Sequence, residues 1–172
     1  MLIHGFDMYR VFLSAPGDLA REREFCRSVI SEVNSNHAMP ARILLVPVGL
    51  TNDGQIVGFR SAVSENIRDS TFFIQLFEDD WGPKNLFRKM FFLAAECRDD
   101  PALPMRDVIV CLKAAPHETD PEILAFRKEL QDRADMRVLH FTTLEDLRPQ
   151  LAEICAAWVD AIRERASAAG QP

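Results

Sequence analysis

The chain has 172 residues, of which 48% are hydrophobic and 27% charged, so it suits one domain with a substantial core and is too apolar for compositional disorder. Its net charge of −6 argues against a nucleic-acid partner, since nucleic-acid binding usually needs a broad basic surface. No apolar run approaches the roughly 20 residues of a membrane span, and the start lacks the pattern of a secretory signal. We therefore expect a cytoplasmic protein without a membrane partner, forming a single domain over residues 1–172 with a core at about 9–166.

Cysteine and histidine spacing predicts neither a metal site nor a cofactor. The four cysteines contain no C-x-x-C pair, and each falls within an apolar segment. This pattern favours buried, reduced thiols. The four histidines are too far apart for a typical metal-ligand spacing.

Strand and helix patterns alternate along the chain. The predicted strands are residues 10–13, 43–46, 71–77, 108–112 and 137–141, and the predicted helices are residues 19–34, 59–68, 85–97, 121–132 and a last one after residue 142. Alternating units of this kind favour a parallel sheet with helices on both faces. We predict a three-layer α/β/α, flavodoxin-like fold with five parallel strands in the order 2-1-3-4-5.

Several residues mark the expected helix ends. Asp18 is predicted to cap the first helix, Asp120 to cap the fourth, and Thr143 with Asp146 to form a capping box on the fifth. Pro149 lies inside the last helical pattern, so we expect a kink or a second helix start there. Residues 167–172 are expected to fray.

The third helix is apolar almost all round. Phe87, Phe91 and Phe92 exceed the width of one buried stripe. They belong to the core, or some of them form a partner surface through which the chain self-associates.

The carboxyl edge of the sheet is the expected position of a ligand site. Ser14 and Gly17 follow the first strand and can offer a hydroxyl and backbone N–H groups. Asp18 disfavours a phosphate there, so a sugar hydroxyl or a protein partner is the better match. The alternative is that these residues only form the turn and the cap.

A second set of candidates follows the third strand. Asp79 and Asp80 are candidate catalytic carboxylates, because paired acids support acid/base or glycosyl chemistry when one pKa is shifted. Trp81 is a candidate ligand-binding residue. The alternatives are a solvated acidic loop and a tryptophan that packs on the end of the sheet.

Residues 12–14 (Phe-Leu-Ser), 18–19 (Asp-Leu) and 22–23 (Glu-Arg) together resemble the bacterial TIR-like domain family. The likeness is greatest to an uncharacterised branch that is often fused to NTPase signalling proteins. Residues 78–82 are similar to that family's acidic, aromatic and glycine corner, and the resemblance covers about residues 9–112.

The resemblance implies a TIR-type fold and leaves two functions open. Many TIR domains associate with each other to signal, and some cleave the nicotinamide–ribose bond of NAD with a glutamate early in the third helix. Residues 88–90 occupy that place here without an acid, and Glu96 lies about two turns later. The resemblance therefore implies an interaction module of bacterial signalling or defence. The alternative is a glycosidase that cleaves NAD or a nucleoside with Asp79 and Asp80 and binds the ribose with Ser14 and Asp18.

Overall fold

The computed structural model describes residues 2–3, 5–51 and 53–170. It contains a seven-stranded sheet with helices on both faces. The strands are β1 Leu2–Ile3, β2 Phe6–Ser14, β3 Ile43–Leu50, β4 Ile56–Val57, β5 Phe72–Phe77, β6 Asp107–Lys113 and β7 Arg137–Phe141. The helices are α1 Ala20–Val33, α2 Val63–Arg68, α3 Leu86–Asp99, α4 Pro121–Asp132 and α5 Leu144–Ala169. Residue 52 of the predicted edge loop and residues 171–172 of the predicted frayed tail lie outside the described ranges.

The α/β fold predicted from the sequence is confirmed. The sheet order is β4-β3-β2-β5-β6-β7, in which β3, β2, β5, β6 and β7 are parallel and correspond to the predicted order 2-1-3-4-5. The predicted count of five strands is too low, because β1 pairs antiparallel with β2 and β4 pairs antiparallel with β3. Strands of two residues are too short to show the alternation by which a strand is recognised in a sequence.

Two apolar layers cover the two faces of the sheet. Ile30 of α1 and Leu151 of α5 pack with Ile74 on one face. Phe91 of α3 packs with Phe73 on the other, together with residues of α2 and α4. Neighbouring residues of a strand thus enter opposite layers, as strand geometry requires. We call these the α1 face and the α3 face.

All four cysteines are free and buried. Burial raises the pKa of Cys155 to about 12 and also raises the pKa of Cys26 and Cys111. These thiols remain protonated at neutral pH and serve as small apolar side chains.

The start of α1 differs from the prediction that Asp18 caps it. Asp18 lies within a short 3-10 turn, Gly17–Leu19, and α1 begins at Ala20 with no side-chain cap. The Leu19 N–H donates to the Pro16 carbonyl at 2.9 Å, and the Leu19 side chain is fully buried. Burial of Leu19 tightens the turn and leaves the Asp18 carboxylate free for other contacts.

The caps predicted for α4 and α5 are confirmed. Asp120 accepts a hydrogen bond from the Glu122 N–H at 2.8 Å. Thr143 and Asp146 form the reciprocal capping box of α5. That helix runs without interruption through Pro149, which excludes the second helix start, one of the two predicted alternatives.

Asn66 explains why α2 is shorter than predicted. Its fully buried amide accepts from the N–H groups of Phe59 and Arg60 and donates to the carbonyls of Arg60 and Ala62. These four bonds hold residues 59–62 in an irregular turn instead of a helix. A Cβ at Gly58 would lie 2.4 Å from Asn66 Oδ1, so glycine is required there.

Candidate functional site

Three carboxylates meet at the carboxyl edge of the sheet. Oxygens of Asp18, Glu78 and Asp79 all lie within 4.8 Å of one another, and we call this group the acidic edge. Lys113, the last residue of β6, donates to Glu22 Oε1 at 3.0 Å and lies 3.6 Å from Glu78 Oε2. Because Glu22 belongs to α1, these contacts place the acidic edge on the α1 face.

The environment of the acidic edge raises the pKa of two of its carboxyl groups, those of Asp18 and Glu78. Burial is the main cause that raises the pKa of Asp18, and the charges of Asp80, Asp79 and Glu22 add to it. Burial also raises the pKa of Glu78, and it outweighs the opposing Lys113 ammonium. A carboxyl that holds its proton more tightly than usual has the property needed for a general acid.

Sequence reasoning did not select Glu22 and Lys113 as site residues. Glu22 is 7% exposed although it is charged, and the hydrogen bond with it raises the pKa of Lys113. The alternation of side chains along a strand could have indicated Lys113, because it places Lys113 on the same face of the sheet as the buried Cys111.

Polar groups of the loop after β5 form one hydrogen bond within the loop and one with α4. Asp80 Oδ1 accepts a hydrogen bond from the Gly82 N–H at 2.9 Å, and Arg127 of α4 donates to the Glu78 carbonyl at 2.6 Å. Gly82 has a φ of +72°, and a Cβ there would lie 2.8 Å from the Phe87 ring. The Asp80 side chain therefore stabilises the turn after β5.

Trp81 is 6% exposed and packs inside the α3 face. Its ring stacks on Phe77 at 4.0 Å and meets Phe126 edge-on at 4.8 Å. These contacts anchor the loop after β5 to the sheet and to α4.

Ser14 lies apart from the acidic edge. It is 1% exposed, and strand alternation places its side chain with Phe12 on the α3 face. The structure therefore brings Asp18 and Asp79 together but directs Ser14 to the other side of the sheet. Gly17 is exposed, and a Cβ there would have no neighbour within 4 Å.

The exposed side of α3 carries a different chemistry. Phe87 and Phe91 are 8% and 0% exposed, so of the two predicted alternatives they belong to the core and not to a partner surface. Phe92 and Leu93 are half-buried, and Leu86 is 38% exposed. With Arg88 and Lys89 they form what we call the α3 surface. It includes a shallow cavity of about 390 Å³, lined by Asn85, Arg88, Lys89, Phe92, Leu93 and Glu96.

Arg88 and Lys89 are exposed cations at the place where the resemblance implies a catalytic glutamate. The Arg88 guanidinium lies 5.6 Å from the ring centroids of Phe92 and Phe126. Such contacts hold the arginine against the apolar part of the surface. This side of α3 therefore suits an apolar partner segment with acidic residues.

Comparisons with known proteins identify no family. No family model and no curated protein sequence matches the chain. Among solved structures, a metal-soaked flavodiiron core of Flv1 from Synechocystis sp. PCC6803 is similar, with 12% identity and a TM-score of 0.45. The match covers 94% of this chain and 37% of that one. Among the described residues, no helix combines the length and the apolar character that crossing a membrane demands.

Proposed function

We propose that this chain is a TIR-like interaction module of bacterial signalling or defence, which associates with further copies or with other TIR-like domains through the α3 surface. The observation that carries the proposal is the combination of exposed apolar and cationic side chains on α3. Leu86 and the half-buried Phe92 and Leu93 lie beside Arg88 and Lys89. An apolar patch rimmed by charge is typical of a protein-interaction site.

The substitution Leu86→Glu tests this surface with little risk to the fold. Leu86 is the first residue of α3, where a glutamate is favoured by the helix dipole. We expect it to weaken association by roughly tenfold, because a charge replaces an apolar contact in the interface. Sedimentation velocity over a concentration series measures the change.

Leu124→Glu is the matched control. Leu124 is 44% exposed, lies in the first turns of α4 and is not one of the residues that form the α3 surface. It should leave association unchanged. A wild-type chain that remains monomeric alone and with other TIR-like domains would refute the proposal, as would equal losses from the two variants.

The acidic edge favours a second candidate function, an NAD- or nucleoside-cleaving glycosidase. Its support is the approach of the Asp18, Glu78 and Asp79 oxygens to within 4.8 Å, with burial raising the pKa of Asp18 and Glu78. One protonated and one ionised carboxyl are the pair that glycosyl transfer uses. Asp80 is the weaker of the predicted catalytic residues, because its carboxylate bonds to the Gly82 N–H.

Incubation of the purified chain with NAD, followed by chromatography for free nicotinamide, tests this second candidate. We expect Asp79→Asn to reduce product formation at least about a hundredfold if Asp79 is the base or nucleophile. Asp80→Asn should have a smaller effect, through the loop. Absence of free nicotinamide from the wild type, also at high protein concentration, would exclude NAD cleavage. Incubation with nucleosides, followed by chromatography for the free base, tests the other substrate.

A further inference from the structure

Two buried polar atoms on the adjacent strands β2 and β5 have no hydrogen-bond partner among the described residues. They are Ser14 Oγ and Gln75 Oε1. Ser14 ends β2 and is the direct neighbour of Gln75 in β5. Their residues are 1% and 0% exposed, so water outside the protein does not satisfy them. An unpaired buried polar atom lowers stability, and two side by side require an explanation.

The hydrogen bonds of the Gln75 amide nitrogen fix the orientation of that side-chain amide. Its Nε2 donates to the Ser14 carbonyl at 3.3 Å and to the Leu76 carbonyl at 2.9 Å. Exchange of the nitrogen and oxygen positions would place Oε1 against these two carbonyl oxygens. Gln75 Oε1 is therefore an acceptor that needs a donor, whereas the Ser14 hydroxyl can donate or accept.

The surroundings of the pair are apolar. On the same face lie the stacked rings of Phe12 and Phe73, with centroids 5.4 Å apart, and Val110, which neighbours Gln75 in β6. These side chains offer no hydrogen-bond donor to either atom. At such positions, apolar residues would give the more stable core.

The position of the pair in the sheet points to a ligand. β2 and β5 are the first and third parallel strands in chain order, and the strand order reverses between them. Open α/β sheets bind ligands at this reversal, beyond the carboxyl ends of the strands. Ser14 is the last residue of its strand, so the pair lies next to that edge.

We propose that Ser14 and Gln75 form the polar floor of a ligand site, which takes a small neutral group that donates a hydrogen bond to Gln75 Oε1 and pairs a second polar atom with Ser14 Oγ. A vicinal diol and a primary amide both present such a pair of atoms. An anionic group is disfavoured, because the apolar side chains of this face offer no positive charge to pair with it. Both polar atoms are buried, so a ligand reaches them only when the residues that cover them are displaced.

Titration of the ¹⁵N-labelled full chain tests the site. The probes are cis-cyclopentane-1,2-diol, benzamide and inorganic phosphate. We expect one of the two neutral probes to shift the amide signals of Ser14, Ala15, Gln75 and Leu76, and we expect phosphate not to shift them. The neutral probe that binds identifies the chemistry as diol or amide.

Ser14→Ala supplies the decisive variant, because it removes a hydroxyl that has no hydrogen-bond partner within the described part of the chain. It should weaken binding of the neutral probe by about fivefold while the melting temperature stays the same or rises. Ser70→Ala is the matched control. Ser70 is equally buried, but its hydroxyl donates to the Asn66 carbonyl at 2.7 Å, so its loss should lower the melting temperature and leave binding unchanged.

The proposal fails if neither neutral probe shifts these signals, or if phosphate shifts them instead. It also fails if Ser14→Ala lowers the melting temperature as much as Ser70→Ala, since the hydroxyl would then be satisfied by an internal water. Association through the α3 surface is measured separately, so its outcome does not bear on this site.

Discussion

The role of the Asp18 carboxylate in the structure differs from the role that the sequence predicts. Its position before a helix predicts a cap, yet the buried Leu19 occupies the capping position and Asp18 joins Glu78 and Asp79 instead. Burial and neighbouring negative charge raise its pKa above the ordinary value of 3.8. The folded protein thus binds this proton more tightly than the unfolded chain does.

The sign of the resulting pH dependence follows from this difference. The stabilisation by the protonated Asp18 carboxyl is fully present below the unfolded pKa of 3.8 and is lost as the pH rises through the raised pKa of the folded state. At pH 7 the ionised carboxylate therefore destabilises the fold. We expect Asp18→Asn to raise the melting temperature at pH 7 by roughly 1–3 °C, an effect reduced by solvent screening.

Thermal unfolding of wild type and Asp18→Asn between pH 7 and pH 3 measures this effect. The advantage of the variant should shrink as the pH falls and vanish below 3.8, where the wild-type carboxyl is also neutral. Asp53→Asn, which changes an exposed carboxylate that does not belong to the acidic edge, controls for the loss of one charge. A variant advantage that is independent of pH would contradict the assigned cause.

At the scale of elements, the sequence predicts the bounds of those helices and strands whose ends are set by residues close in the chain. The bounds predicted for α4 and β7 match the structure, because Asp120 caps the helix and β7 forms a short, uniform strand pattern. The start of α2 was missed, since the turn before it depends on the buried amide of Asn66. The candidate site was predicted only in part. Asp18 and Asp79 do meet, but the contact between Glu22 and Lys113 joins residues of distant elements.

Pro149 gives the element-scale prediction. It is exposed within the unbroken α5 and has no N–H for the Glu145 carbonyl four residues earlier. Pro149→Ala should therefore raise the free energy of unfolding by roughly 1–2 kcal/mol, after allowance for the greater entropy of the unfolded chain. Urea denaturation followed by circular dichroism measures the change.

Pro121→Ala is the control for this substitution. Pro121 is the first residue of α4, where an N–H has no acceptor within the helix. The same chemical change should give no gain there. Equal effects at the two prolines would show that the unfolded chain, and not the missing bond in α5, governs the result.

At the scale of the whole molecule, charge is distributed unevenly. The chain has 26 acidic and 20 basic residues. Nevertheless, Lys84, Arg88 and Lys89 are close in sequence and exposed at the start of α3. A cationic surface on an acidic protein favours an acidic region of another copy, whereas the net charge of −6 opposes close approach at long range.

Lys89→Glu separates these two effects when it is compared with Lys128→Glu. Each change replaces a charge of +1 by −1, so both variants go from −6 to −8 and repel one another equally at long range. Lys128 is exposed on α4 and lies outside the α3 surface. If the α3 surface binds an acidic region, Lys89→Glu should weaken self-association by roughly tenfold at low salt, and Lys128→Glu should change it much less. Sedimentation velocity at low and high sodium chloride should show this difference shrinking as salt screens the contact. Equal losses in the two variants would attribute the effect to net charge and would remove Lys89 from the interface.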